Sequence, residues 1–553
     1  MNTNGNPDGS AGRGAVPLRP LTELLDDAVA RWPDRICVDF LDATWTYREI
    51  GDLVARAATG FRRLGVTAGT RVGLCLPNTP YSVICYYAVL KAGGIVVNYN
   101  PLYVERELIH QVKDSGTSIM VTMDLQAIYP KVATLLAKTD LATVVVCPMA
   151  TILPFPKNWL FRLFKRKDMA AIPRDGAHVS FAELVSEKAA VPPLAIDPKT
   201  TVAVLQYTGG TTGVPKGAML THANLSANAE QIRRWVPDGF LSGEPKMLGV
   251  LPLFHVFAMT VVMNFGLTLG ATLILLPRFE LDQVMDVIAR KRPTIFPGVP
   301  TIYTAINRAA ADGKRDLTSI ECCISGGAPL PADVRSRFEA LTGCKLLEGY
   351  GLSEASPVVT CNPVVGLDKP GSIGLVLPET EISIRVPVTS DREVTEGEKG
   401  EICVRGPQVM MGYWNRPDAT AEQFHDGWLR TGDVGHRDPD GYVFLVDRLK
   451  DIIICGGYNV YPRVLEEALY QHPAVEEATV IGVPDKYRGQ APLAFVKLRA
   501  EATATVADLM AHMSEWVSKI EMPREIEIRD ALPKTMVGKL SKKELVAEII
   551  ARD

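Results

Sequence analysis

Apolar positions along the first part of the chain fall into two alternating rhythms. Leu21–Trp32 repeats them at helical spacing, and Ile36–Phe40 is an apolar run of strand length. Tyr47–Leu64 is helical again and closes near Gly65. Arg71–Leu76 reads as a strand, Pro80–Lys91 as a helix with proline at its start, and Ile95–Tyr99 as a strand. Helix Glu105–Asp114 and strand Ser118–Thr122 continue the series, and strands at Thr294–Pro297, Glu321–Ser325 and Lys345–Leu347, with helix Pro331–Leu341, resume it later. Strands alternating with helices predict α/β architecture: a parallel or mixed sheet with helices on both faces.

From about residue 371 the texture changes to short β-runs broken by glycine, at Ile373–Val376, Glu381–Val386, Glu401–Arg405 and Tyr442–Val446. These predict a small β-barrel-like subdomain. The charged run Asp447-Arg448-Leu449-Lys450 then precedes a stretch of α+β character with a helix at Arg463–Gln471. The expected organisation is a disordered tail over 1–17, an N-terminal domain over 18–446 with its β-subdomain at about 371–446, a junction at 447–450 and a small C-terminal domain over 451–553. The tail, MNTNGNPDGSAGRGAVP, lacks the apolar core of a secretory signal.

Two segments bear on membranes. Val256–Leu276 carries no charge, but Asn264, Gly266 and Gly270 interrupt it and Ala271–Leu276 has the look of a separate strand. A buried helix followed by a buried strand is expected rather than a span. Residues 151–170, TILPFPKNWLFRLFKRKDMA, set Trp159, Leu160, Phe161, Leu163 and Phe164 among Lys157, Arg162, Lys165, Arg166 and Lys167. That pattern suits a helix lying in a membrane interface as well as it suits a surface helix packing its aromatics on its own domain.

Composition narrows the classes further. Hydrophobic residues make up 47% and charged residues 22% of 553, enough for a large core, and the net charge of -4 argues against a nucleic-acid partner. The ten cysteines are scattered without zinc-type pairs, so reduced thiols and a cytoplasmic setting are expected, with Cys322-Cys323 as core packing.

The chemistry centres on Tyr207–Gly217, YTGGTTGVPKG, which follows the buried-strand run Val202–Leu205. Glycines let backbone N–H groups curl round phosphate oxygens, hydroxyls donate further bonds and Lys216 adds a point charge. A strand breaking into such a loop before a helix suits gripping a polyphosphate, although the spacing is not the Walker type. Glu354, in YGLSE, is a lone carboxylate of the kind that holds Mg²⁺. Asp433 and Arg448 suit ribose hydroxyls, and PKTMVGKL presents Lys539 on a glycine-flanked turn.

In this order and spacing the motifs resemble those of the adenylate-forming superfamily, the acyl-CoA synthetases, luciferases and peptide-synthetase adenylation domains, over residues 20–545. YTGGTTGVPKGAMLTHANL is similar to the family's phosphate loop, PLFHVF (252–257) to its histidine motif and SGGAPL (325–330) to its adenine-side loop. EGYGLSE (348–354), DGWLRTGDVG (426–435), DRLKDIIICGGYNVYP (447–462) and PKTMVGKL complete the set. Within the superfamily the chain looks most like bacterial long-chain fatty acid–CoA ligases, through VVNYNPLYVERELIHQVKDSG (96–116), GEICVRGPQVMMGYWNRPDAT (400–420) and the basic-aromatic stretch 151–170. It departs at Ser353, where threonine is common, and at Lys542-Lys543, where arginine is common.

The resemblance implies a two-step ligase using ATP, Mg²⁺ and CoA on a fatty acid, with aryl, dicarboxylic or shorter acids, or a carrier-protein acceptor, as alternatives. A non-catalytic nucleotide-binding scaffold is disfavoured by the presence of Lys216, Glu354, Asp433 and Lys539. Thr208, Gly209, Thr211, Thr212, Gly213 and Lys216 would hold the β- and γ-phosphates. Glu354 would hold Mg²⁺ and Ser353 would touch the α-phosphate. Gly327, Glu348, Gly349 and Tyr350 would flank adenine, and Asp433 and Arg448 would fix the ribose. Lys539 would bridge the attacking carboxylate and the α-phosphate. Lys450 would be the hinge of a mobile C-terminal domain that brings Gly457 to the CoA channel, and His255 and Val299 would border the acyl group, a packed histidine being the plainer alternative for His255. Dimers occur among related ligases.

Overall fold

The computed structural model describes residues 14–188, 192, 194–208, 215–241, 243–311, 313, 315–387, 389–456, 458–500, 502–534 and 540–552. Of the tail expected over 1–17, residues 14–17 lie against the body: Val16 is buried, and its N–H donates to the Glu379 carboxylate at 2.5 Å.

Among the described residues the strands form four sheets. A seven-stranded sheet runs from His178–Ser180 through Thr143–Cys147, Ile119–Met123, Arg71–Leu74 and Ile95–Asn98 to Val202–Thr208, all parallel, and ends on an antiparallel edge strand, Lys216–Thr221. A nine-stranded sheet has a parallel centre, Thr272–Leu275, Lys246–Gly249, Ile295–Gly298, Cys322–Ser325 and Leu346–Gly351, with antiparallel additions at both edges. Most of these strands are short, largely apolar runs, as strands covered on both faces must be. Helix Pro80–Ala92 is buried on almost every side between the layers.

The predicted helix-then-strand at Val256–Leu276 is present: Val256–Ala258, a π-helical Met259–Asn264 and Phe265–Thr268 precede strand Thr272–Leu275. Among the described residues no helix is long and apolar enough to cross a membrane. The β-subdomain is a five-stranded antiparallel sheet of Glu381–Arg385, Gly400–Arg405, Trp428–Arg437, Phe424–His425 and Val443–Arg448. Its last strand runs through Asp447 and Arg448, while Leu375–Val376 joins the nine-stranded sheet instead. The C-terminal part has its own sheet, Val475–Asp485 and Gly489–Leu498 at the centre, and its own apolar core.

One expectation needs correcting. The phosphate-loop motif was read as lying between a strand and a helix, but it joins two antiparallel strands. Val202–Thr208 pairs with Lys216–Thr221, Thr208 opposite Lys216, and only then does the capping box of Thr221 and Asn224 start helix His222–Trp235. Gly217 sits close against Tyr207: a Cβ there would lie 3.1 Å from the ring, tighter than an ordinary contact.

Candidate active site

The site gathers where strand ends meet. The hairpin is anchored beside its loop, where the Tyr207 hydroxyl donates to Asp114 Oδ2 at 2.6 Å. Residues 410–414 lie alongside it like a third strand: Met219 N–H donates to Gly412 O at 2.9 Å and Trp414 N–H to Gly217 O at 2.8 Å. The same segment reaches the YGLSE turn, since Met410 N–H donates to Glu354 O at 2.8 Å. Tyr413 is thereby placed between the two motifs. Its hydroxyl donates to Glu354 Oε1 at 2.7 Å, and Lys216 Nζ stands 5.0 Å from its ring centroid. A cation over an aromatic face and a phenol on a carboxylate hold lysine and glutamate near one another without letting them neutralise each other directly.

The second cluster sits beyond Tyr350. Its hydroxyl donates to Asp433 Oδ2 at 2.6 Å, and Arg448 Nε is 3.2 Å from Asp433 Oδ1. Asp433 and Arg448 are directly opposite on adjacent strands, so the sheet register itself makes the pair. The buried Asp433 carboxylate raises the Arg448 pKa, and burial together with Asp433 raises that of Tyr350, which therefore stays a donor.

Glu348 and Gly349 lie in strand Leu346–Gly351, next to the loop Gly326-Gly327, where Gly327 takes a left-handed φ of 81°. Glu348 is buried, and burial pushes its pKa up to about 7, with the Arg463 guanidinium of the C-terminal part pulling the other way. Ser353 opens the 3₁₀ turn that carries Glu354. His255 starts helix Val256–Ala258, its Nδ1 accepting from Phe257 N–H at 3.2 Å, and the Phe257 ring packs 3.1 Å from where a Cβ on Gly326 would stand. Val299 is buried just past strand Ile295–Gly298. Lys450 is exposed in the turn after Arg448, where Leu449 N–H donates to Gly432 O at 2.8 Å.

Gly209, Thr211, Thr212, Gly213, Gly457 and Lys539 lie outside the described residues. The stem of the lysine turn is described: Lys534 bridges Leu540, and Ser541 N–H donates to Pro533 O at 2.8 Å. No cluster of His, Cys, Asp or Glu with metal-ligand geometry occurs among the described residues. All ten cysteines are free and buried, Cys322 and Cys323 among them.

Sequence reasoning missed Tyr413 as a site residue; the aromatic pair after glycine in GEICVRGPQVMMGYWNRPDAT was the signal, visible only once that segment had a place. It also missed Asp447 and Arg463. Asp447 Oδ2 accepts from Arg463 N–H at 2.8 Å, so the last strand of the large part caps the first helix of the small one.

Fold and site together define the class, a two-part adenylate-forming enzyme. The chain belongs to the AMP-binding enzyme family, whose pattern it matches over residues 25–414, with the AMP-binding enzyme C-terminal domain over 464–539. It is 43% identical over 538 residues to a long-chain-fatty-acid–CoA ligase of Bacillus subtilis, covering 96% of this chain and 95% of that one. It is 37% identical over 534 residues to a ligase of the same name from Yersinia pestis, covering 95% and 93%. An ATP-bound MatB from Rhodopseudomonas palustris superposes with a TM-score of 0.83 at 29% identity, over 96% of this chain and 99% of that one.

Proposed function

We propose that the protein is an ATP-dependent fatty acid–CoA ligase for medium- to long-chain acids, working through acyl-AMP. The observation that carries this reading is the pair of clusters, Lys216–Tyr413–Glu354 and Tyr350–Asp433–Arg448, gathered at the C-terminal end of strand Leu346–Gly351 in a chain alignable end to end with ligases of that name. In the first step a carboxylate oxygen attacks the α-phosphorus and the bond to the bridging oxygen breaks, releasing pyrophosphate. In the second a CoA thiolate attacks the acyl carbonyl and AMP leaves. Neither step needs a protein nucleophile; both need placed charge.

Lys216, Thr208 and the backbone and hydroxyls of Gly209, Thr211, Thr212 and Gly213 supply that charge and hydrogen bonding at the departing phosphates. Ser353 faces the α-phosphate, while Gly327, Glu348, Gly349 and Tyr350 bound the adenine. Asp433 accepts from the ribose hydroxyls, with Arg448 holding its other oxygen. Lys539 offsets the repulsion between carboxylate and phosphate. Glu354 fits Mg²⁺: it offers hard carboxylate oxygen, one atom of it steadied by Tyr413, beside the phosphate loop. When bound, the cation neutralises phosphate charge. The turn at Lys450 would let the C-terminal domain exchange Lys539 for the face carrying Gly457, and His255 and Val299 would border the acyl end.

A peripheral membrane contact belongs to the same proposal. On helix Lys157–Phe164 the side chains of Trp159 and Phe164 are 59% and 73% exposed, as is 85% of Phe155, and only Phe161 of the aromatic set packs on the core. That favours the membrane alternative over self-packing.

The test is a panel of fatty, aryl and dicarboxylic acids scored for pyrophosphate, AMP and acyl-CoA. Fatty acids should turn over best, and adenylate release without thioester would reject the ligase reading. Lys539→Ala should abolish adenylation yet leave thioester formation from supplied acyl-AMP largely intact; equal loss of both would remove Lys539 from the first step.

A further inference from the structure

Asp114 lies in the last turn of helix Glu105–Ser115, and the helix itself gains nothing from it. The C-terminal end of a helix carries partial negative charge, so a carboxylate there opposes the macrodipole. The side chain is also only 8% exposed, and a carboxylate withdrawn from water is stable only where donors replace the water. Two donors do so. The Tyr207 hydroxyl donates to Oδ2 at 2.6 Å and Arg416 Nη2 to Oδ1 at 2.5 Å. Each oxygen serves a partner from a different part of the chain.

Those partners lead to the two halves of the phosphate side. Tyr207 immediately precedes Thr208, and opposite it on the facing strand stands Gly217, next to Lys216. Arg416 is three residues past Tyr413 and closed onto it. Tyr413 N–H donates to Thr420 Oγ1 at 2.9 Å, and Thr420 Oγ1 donates to Arg416 O at 2.8 Å. The same helix end takes a second hold on this segment. Ser115 O accepts from Arg71 Nε at 2.9 Å, and the Arg71 guanidinium lies 5.7 Å from the ring centroid of Trp414. Trp414 and Arg416 are thus both moored to one helix end, while the neighbouring Tyr413 carries Lys216 over its ring and Glu354 on its hydroxyl.

We propose that Asp114 is a positioning residue for the departing phosphates: by tying the strand that enters the phosphate loop to the segment carrying Tyr413, it sets where Lys216 and Glu354 stand. It acts through Tyr207 and Arg416, not on the substrate. This rests on the reading of Lys216 and Glu354 as the β- and γ-phosphate and Mg²⁺ side of the site. Two charge-assisted bonds from one helix end suit the task better than an apolar contact, because they specify direction as well as distance. Burial, with the Asp114 carboxylate second, raises the Tyr207 pKa, so the phenol stays the donor.

The experiment measures nucleotide binding to the full-length protein by calorimetry and needs no carboxylic acid. Mg·ATP carries the β- and γ-phosphates; AMP lacks them. Asparagine at 114 keeps the shape but offers one acceptor and one amide donor, so it cannot serve both partners. Asp114→Asn should weaken Mg·ATP binding by about 10- to 100-fold, the worth of a hydrogen bond to a charged group, and leave AMP within about twofold. Arg416→Gln, at a side chain 40% exposed, removes one tie and leaves the carboxylate in place. It should give a loss of the same kind, at least about threefold, and it decides the matter if Asp114→Asn does not fold. Adding Tyr413→Phe to Asp114→Asn should cost less than the product of the two single losses, since both act on Glu354. Mg·ATP binding that neither variant changes, equal weakening of Mg·ATP and AMP, or fully multiplicative losses would each overturn the proposal. A wild type that binds both nucleotides but ligates no acid to CoA would instead reject the ligase reading, and the split between Mg·ATP and AMP would still establish the role of Asp114.

Discussion

Tyr413 fixes the spacing of the phosphate side by itself. Its ring sits under the Lys216 ammonium and its hydroxyl donates to Glu354, so one buried side chain determines how far apart a cation and a carboxylate stand. Burial, with the Glu354 charge second, raises its pKa far above the phenol's ordinary value, so it donates throughout the working range. Phenylalanine in its place keeps the ring for Lys216 and removes the bond to Glu354 together with the longer one, at 3.3 Å, to Gln423 Oε1. A hydrogen bond to a charged group is worth ~1.5–3 kcal/mol, so Tyr413→Phe should lower kcat/KM for adenylation by about 10- to 100-fold. The loss should be accompanied by a weaker apparent affinity for Mg²⁺, measured as pyrophosphate release against magnesium concentration. An unchanged magnesium dependence would show that the hydroxyl does not position Glu354.

Among the elements, those legible from the sequence share one property: a short apolar run bounded by polar or glycine residues, as at Val202–Leu205 or Glu321–Ser325. Two of the strands that escaped lack it. Ala43–Thr46 is half polar, and it folds back on Ile36–Phe40 through Leu41 and Asp42, both at positive φ, with no glycine or asparagine to announce a hairpin. Lys216–Thr221 was hidden because Pro215 and Gly217 look like continued loop; its strand character comes from pairing with Val202–Thr208. The site motifs were legible as chemistry, but Tyr413 was not, because its place depends on a segment docking from a distance of almost two hundred residues in the chain. For helix Lys157–Phe164 the residues alone left two readings open, and vesicle binding is what tests between them. Lys157 is held by Asp42 at 2.6 Å, so the cations at 162, 166 and 167 matter more to an anionic surface. Each such charge contributes ~1 kcal/mol near an anionic leaflet. Replacing Arg162, Arg166 and Lys167 by glutamine should reduce co-sedimentation with anionic vesicles by at least about tenfold and remove most of its salt dependence. Trp159→Ser with Phe164→Ser should weaken binding to neutral vesicles as well; binding untouched by either set would leave the helix as ordinary surface.

At the scale of the whole molecule, the two parts meet through titratable groups. Arg308 pairs with Glu476 at 2.6 Å and Arg499 with Asp333 at 2.9 Å across the junction, pairs in which at least one partner is open to water. The buried contacts are carboxylates. Glu348 faces Arg463 and Glu467 of the C-terminal helix and Arg335 of its own domain, and burial raises its pKa from 4.5 to about 7. Asp447 faces Lys542 and Glu466 and accepts from the N–H groups of Arg463 and Arg448, yet burial still raises it from 3.8 to about 6. The folded protein therefore binds protons that the unfolded chain releases. Raised acids contribute stability that is fully present below their ordinary values and is lost as pH climbs through the folded ones. The contribution of these two groups to the thermal midpoint should accordingly fall between about pH 4 and about pH 7, with Asp447 governing the lower part of that window and Glu348 the upper. Glu348→Gln should flatten the upper part. Arg463→Ala, acting from the other domain, should push Glu348 higher still and carry the decline further up in pH, because it removes the positive charge that draws its proton off. A profile that Arg463→Ala leaves unmoved would mean that Glu348 does not share this charge with the C-terminal part.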